Sequence, residues 1–123
     1  MAKILIVDDS ASSRAIVSIL LGDQDHQILE ASDGNMGLEV VRRERPDLII
    51  LDLDMPGMDG AAFMHDLRGD PAIAALRVIF YTGYHNLPTT QALASLCGVR
   101  TVLPKPADVA SIMAAVKDEL LRG

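Results

Sequence analysis

The chain is short of several things, and each shortage excludes a class of protein. Among 123 residues there is one cysteine, Cys97, so no internal disulfide can form and the usage suits a reducing cytoplasm. No apolar run approaches the roughly 20 residues of a membrane-spanning helix. Met1-Ala2-Lys3-Ile4 leads straight into an apolar run, without the pattern of a signal peptide. Tryptophan is absent, and Phe63, Phe80, Tyr81 and Tyr84 are the only aromatics, too few for base stacking as a main activity. Cations are in deficit too: 11 Lys and Arg face 17 Asp and Glu, a net charge of −6. A nucleic-acid surface needs clustered Lys and Arg instead. Lysines are limited to Lys3, Lys105 and Lys117, so one in an odd place calls for a reason. With no linker, repeat or low-complexity segment, residues 1–123 read as one domain, large enough to bury a core.

What is present is a series of short apolar runs, each ending in a polar residue. Leu48 to Leu51 is too short for a helix and suits a strand buried on both faces. Asp52 ends it, and Pro56-Gly57 and Asp59-Gly60 mark turns. Ile4 to Val7 is a similar run ending in Asp8-Asp9-Ser10, with Ser10 or Ser12 available to cap a helix. In that helix Ala15, Ile16, Ile19 and Leu20 recur at helical spacing, and Gly22 is its stop. His26 to Ala31 reads as a strand closed by a Ser32-Asp33-Gly34 turn. Asn35 to Arg45 reads as a helix with Met36, Val40 and Val41 inward. Its basic end, Arg42, Arg43 and Arg45, complements the helix dipole and needs no ligand to explain it.

Ala61 to Arg68 is a further helix, with Phe63, Met64 and Leu67 apolar, broken by Gly69-Asp70-Pro71. Val78 to Tyr81 is the fourth strand, ending in Thr82-Gly83. Asn86 and Pro88 read as cap and first turn of a helix closed by Gly98. Val99 to Leu103 is the fifth strand, ending in Pro104-Lys105-Pro106, and Val109, Ile112, Met113, Val116 and Leu120 line one face of a last helix. Five strand–helix units in strict alternation imply a doubly wound α/β domain, a parallel sheet with helices on both faces.

Asp33, past the second strand, reads as a turn, and the other strand ends carry Asp8, Asp9, Asp52, Asp54, Thr82 and Lys105. They converge if the strands take the flavodoxin-like order 2-1-3-4-5, whose carboxyl ends form the binding crevice. Crowded carboxylates bind protons or a cation, and hard oxygen ligands suit Mg²⁺. A lysine and a hydroxyl beside them supply partners for the oxygens of a phosphoryl group. The chemistry that fits is attack of a carboxylate on phosphorus to give an aspartyl phosphate, with Mg²⁺ neutralising the charge.

Val7-Asp8-Asp9-Ser10, Leu51 to Gly60, Tyr81-Thr82-Gly83 and Leu103-Pro104-Lys105-Pro106 together resemble the receiver domain of two-component response regulators. The four motifs cover the chain in order. The resemblance implies Asp52 as phosphoacceptor, and Asp9, Asp8, Asp52 and the Asp54 backbone carbonyl as Mg²⁺ ligands. It also implies Thr82 as the switch hydroxyl, Lys105 as partner of the phosphoryl oxygens, and a cis Lys105–Pro106 bond. The phosphoryl group would come from a sensor histidine kinase or a histidine phosphotransfer protein. The surface of the fourth helix, fifth strand and fifth helix would carry the readout to a downstream effector or fused output domain. Other expectations are a dimer formed on phosphorylation, no membrane or nucleic-acid contact, and a cytoplasmic phosphoacceptor rather than an enzyme in the ordinary sense.

The sequence departs from the family at Val102, where a Tyr or Phe is common and a valine has no ring to rotate. Ala107 stands where Phe is frequent. Asp54 is acidic at a variable position, and Tyr84 could shield a phosphoryl group from water. Two alternatives have other chemistry: a receiver that binds partners without being phosphorylated, and a haloacid-dehalogenase-type phosphatase suggested by Asp52-Leu53-Asp54. The second leaves Asp8-Asp9 without a role. Asp33 and Asp59 read as turn residues. His26, His65 and His85 have no ligand spacing. Met55 and Met58 suit loop packing, and Cys97 suits burial rather than reactivity.

Overall fold

The computed structural model describes residues 2–22, 25–54, 60–84 and 86–122. The expected turns at Pro56-Gly57 and Asp59, and Met55, Met58 and His85, lie outside the described residues. Along the chain run β1 (Lys3–Val7), α1 (Ala11–Gly22), β2 (Gln27–Ala31), α2 (Gly34–Glu44), β3 (Leu48–Asp52), α3 (Gly60–Gly69), β4 (Arg77–Thr82), α4 (Pro88–Leu96), β5 (Thr101–Pro104) and α5 (Val109–Leu121). The strands form one parallel sheet in the order β2-β1-β3-β4-β5, the flavodoxin-like order that convergence of the strand-end residues requires.

The period of two along each strand divides the core in two. Ile4, Ile6, Leu48, Ile50, Ile79, Tyr81 and Leu103 pack with Val17 and Leu21 of α1 and Ile112 and Val116 of α5. Leu5, Val7, Ile49, Leu51, Val78 and Phe80 pack against α2, α3 and α4, through Leu38, Val41, Phe63, Met64, Leu67 and Ala94. Both faces of the central strands are thus dry, which is why they read as unbroken apolar runs. Burying each such side chain contributes roughly 1.5–3 kcal/mol.

Several local expectations are corrected. In α1 Val17 and Leu21 are buried and Leu20 packs partly against the core, whereas Ile16 and Ile19 are exposed. The helix is apolar almost all round, so spacing alone cannot select its inner face. Met36 points outward, and Gly37 and Leu38 face the sheet beside Val40 and Val41. Val109 is half exposed at the start of α5, and Glu119 is buried near its end. The cap residue of α4 is Leu87, not Asn86, and it makes no side-chain capping bond; Pro88 fills the first turn as expected. Cys97 is only half buried. Ser10 does cap α1, its Oγ accepting from the Ser13 amide at 3.2 Å.

Asp33 is more than a turn residue. Its Oδ1 accepts from the Met36 amide at 2.8 Å and caps α2, satisfying a donor the helix leaves open. Asp33→Ala is expected to lower stability by about 1 kcal/mol, read as a fall of a few degrees in thermal midpoint. No change would return Asp33 to the status of a turn residue.

Candidate functional site

Two neighbouring strands deliver the acidic part of the site. Asp8 follows β1, Asp52 ends β3, and register pairs Val7 with Leu51 and Asp52 with Tyr81. Asp8 and Asp52 are each only 2% exposed, while Asp9 is open to solvent. Carboxylate oxygens of the three lie within 4.8 Å of one another. Hard oxygen donors at that spacing, with one side open to water, could hold a divalent cation of the Mg²⁺ kind.

Lys105 closes the cluster. Its Nζ donates to Asp8 Oδ2 at 3.0 Å and to Asp52 Oδ2 at 3.1 Å, and stands 5.4 Å from the centre of the Tyr81 ring. The Lys105–Pro106 peptide is cis, as the resemblance implied. The second oxygens are held by backbone: the Ser10 amide donates to Asp8 Oδ1 and the Asp54 amide to Asp52 Oδ1, both at 2.9 Å. Main-chain bonds continue the sheet into these loops, from Asp8 to Ala31, Leu53 to Tyr81 and Lys105 to Thr82.

Burial raises the pKa of Asp52 to about 6, helped by the negative charge of Asp8 and opposed by the Asp54 amide and Lys105. Burial also works on Asp8, but the Ser10 amide, the Ser13 side chain and Lys105 more than offset it and hold that carboxyl below its ordinary range. Burial would lower Lys105; hydrogen bonds and charge from Asp8 and Asp52 outweigh this and raise it. One ammonium shared by two carboxylates stabilises one of them more than the other.

Thr82 is brought near but not into the cluster. It is 1% exposed, and its Oγ1 donates to Asp54 Oδ1 at 2.9 Å while accepting from the Tyr84 amide at 3.1 Å. The other oxygen of Asp54 accepts from the Gly83 amide at 3.1 Å. Val102 is half buried against the α2–α4 core. Tyr84 is 61% exposed.

Sequence reasoning passed over Tyr81 and Arg14. The Tyr81 hydroxyl accepts from the Ala107 amide at 3.4 Å, tying β4 to the loop after Lys105. Arg14 donates to the Asp8 carbonyl at 2.6 Å and pairs with Glu30. A signal existed for Arg14, the one charged residue in an otherwise uncharged helix. Tyr81 offered none, since an aromatic near a strand end is ordinary core.

A carboxyl with a raised pKa keeps its proton in the fold while the unfolded chain has already lost its own. From about pH 4 to about pH 6 stability therefore falls as pH rises, by an amount on the order of 1–3 kcal/mol from Asp52. In EDTA, Asp52→Asn is expected to melt several degrees above the parent at pH 7.5. That advantage should shrink as pH falls through 6 towards 4. A gap independent of pH would mean that the buried charge is not its source.

Comparison with known proteins agrees with this geometry. Residues 4–117 match the family described as response regulator receiver domain. Sporulation initiation phosphotransferase F of Bacillus subtilis is 36% identical over 96% of this chain and 93% of its own length. Protein PilH of Pseudomonas aeruginosa is 33% identical, over 94% and 95%. The structure of chemotaxis protein CheY4 of Vibrio cholerae superposes with a TM-score of 0.89 at 30% identity, covering 96% of this chain and 98% of that one. In the CAI-1 autoinducer sensor kinase/phosphatase CqsS of Vibrio cholerae the match is 34% identical but spans only 16% of the protein, so such a unit also occurs inside longer chains. With the strand order, the acidic cluster and the lysine that bridges it, the match over residues 4–117 means that this chain belongs to the response regulator receiver family.

Proposed function

We propose that the chain takes a phosphoryl group onto Asp52 from a phosphohistidine and passes the change to a partner surface. The observation that carries this is the bridging of two buried carboxylates, Asp8 and Asp52, by one ammonium, Lys105, within 3.1 Å. That arrangement has little use as a structural ion pair, since burying a second carboxylate around one cation adds desolvation without full compensation. It suits a site in which one carboxylate is to be modified.

With a proton affinity near pH 6, Asp52 is ionised at neutral pH and free to attack phosphorus. One Asp52 oxygen forms the new O–P bond as the N–P bond of the donor phosphohistidine breaks, and the leaving imidazole carries away the electron pair. Lys105 stays beside the Asp52 oxygens and offsets the charge brought in. Asp8, Asp9, Asp52 and the Asp54 carbonyl would hold Mg²⁺, which supplies charge neutralisation to the transferred group. Thr82, near the same strand ends, is the hydroxyl that would move onto the added phosphoryl group. A haloacid-dehalogenase phosphatase is set aside by the family match and by the place of Asp52 on the third strand of a receiver sheet.

Donors in this reading are a sensor kinase or a histidine phosphotransfer protein. The name of the Bacillus relative, a phosphotransferase of sporulation initiation, supports a relay role without fixing the pathway. Among the described residues no helix is long and apolar enough to cross a membrane.

Incubation with acetyl phosphate and Mg²⁺ should add one labile phosphoryl group by intact mass, absent in Asp52→Asn and after EDTA. No adduct, together with no spectral change on adding beryllofluoride, would leave the chain a binding module. Lys105→Ala should slow transfer on the order of a hundredfold, as loss of a preorganised charge does, with the fold intact by circular dichroism.

A further inference from the structure

We propose that the Asp54 side chain is a positioning residue that latches the Thr82 hydroxyl away from Asp52, and so sets how readily the site switches. This rests on the reading of Asp52 as phosphoacceptor and Thr82 as its responding hydroxyl. A threonine hydroxyl has one proton to donate. In Thr82 that proton goes to Asp54 Oδ1 at 2.9 Å, and the Tyr84 amide occupies a lone pair at 3.1 Å. Thr82 is 1% exposed, so water cannot readily take over as acceptor. To donate to an oxygen on phosphorylated Asp52, Thr82 must first release Asp54.

The latch is held at both ends. Asp54 Oδ2 accepts from the Gly83 amide at 3.1 Å, so one carboxylate grips two consecutive residues at the end of β4. The Asp54 amide meanwhile donates to Asp52 Oδ1 at 2.9 Å. One residue therefore touches the acceptor carboxylate with its backbone and the switch hydroxyl with its side chain. Among the described residues no cation lies within salt-bridge distance of the Asp54 carboxylate. Its hydroxyl partner is thus charge-assisted on the acceptor side and stronger than a neutral pair. Asp54 itself is exposed, so once released it is rehydrated rather than orphaned. The threshold is the net worth of a charge-assisted bond, on the order of a tenfold bias.

A negative side chain near the phosphoryl site also repels any anion, with no latch required, and a double-mutant cycle separates the two. The apparent Kd of beryllofluoride with Mg²⁺ is measured by calorimetry for the parent, Asp54→Ala, Thr82→Val and the double variant. Asp54→Ala should tighten binding roughly tenfold more with Thr82 present than in the Thr82→Val background. On saturation of the parent, the Gly83 amide resonance should move towards its position in free Asp54→Ala. Equal tightening in both backgrounds would mean that charge alone acts, and would overturn the latch while leaving the phosphoacceptor reading intact. Absence of Mg²⁺-dependent beryllofluoride binding in all four proteins would overturn that reading and the latch with it.

Discussion

Everything at the carboxyl ends of the strands is arranged around one ammonium between two buried carboxylates. Lys105 reaches Asp8 and Asp52 at nearly equal distances, and each carboxylate is turned so that its second oxygen meets a backbone amide. A buried charge is tolerated only when its hydrogen-bonding capacity is met. Here a single cation meets it for two acids, and the shortfall lands on Asp52, whose proton affinity rises while that of Asp8 falls. The rest of the fold makes this possible by being dry elsewhere. Neither apolar layer contains a buried carboxylate of β1, β3 or β4 below the strand ends.

The period of two explains which groups meet. Asp52 continues the positions of Leu48 and Ile50, and Asp8 those of Ile4 and Ile6, all on the α1 and α5 side. Lys105 stands two residues beyond Leu103 of the same layer. Thr82 continues Val78 and Phe80, on the opposite side. Its hydroxyl is therefore offset from the cluster by the geometry of its strand, and Asp54 is the polar group within reach. Separation of the Thr82 hydroxyl from Asp52 follows from strand parity, and the proposed latch adds to it.

This parity also accounts for what could be read in advance. The strands were legible because both faces are buried and the runs are unbroken. The meeting of Asp8, Asp9, Asp52 and Lys105 was legible because these residues follow those runs directly. The inner face of α1 was not, since Ile16, Val17, Ile19, Leu20 and Leu21 offer apolar side chains in nearly every direction, and only the sheet decides which are buried. Asn86 is a better cap by propensity than Leu87, yet Pro88 at the first turn fixes the start of α4 one residue later. The bond between Asp54 and Thr82 spans 28 positions. No local spacing encodes it; it depends on β3 and β4 being neighbours in register.

Charge balance ties these features to an ionic requirement. Taken at their formal charges, Asp8, Asp9, Asp52 and Asp54 give −4, and Lys105 returns +1, leaving −3 at these strand ends. A dianionic phosphoryl group on Asp52 replaces one negative charge with two and takes the sum to −4. In a partly buried site that repulsion is screened poorly. A divalent cation on the Asp8, Asp9 and Asp52 oxygens would bring the sum to −1 before transfer and −2 after it, a load that one lysine and the surrounding amides can bear. Asp54 adds to the negative sum and so would favour such a cation further. Its compensating use is the grip on Thr82, a buried hydroxyl at the end of β4 that an added phosphoryl group could recruit.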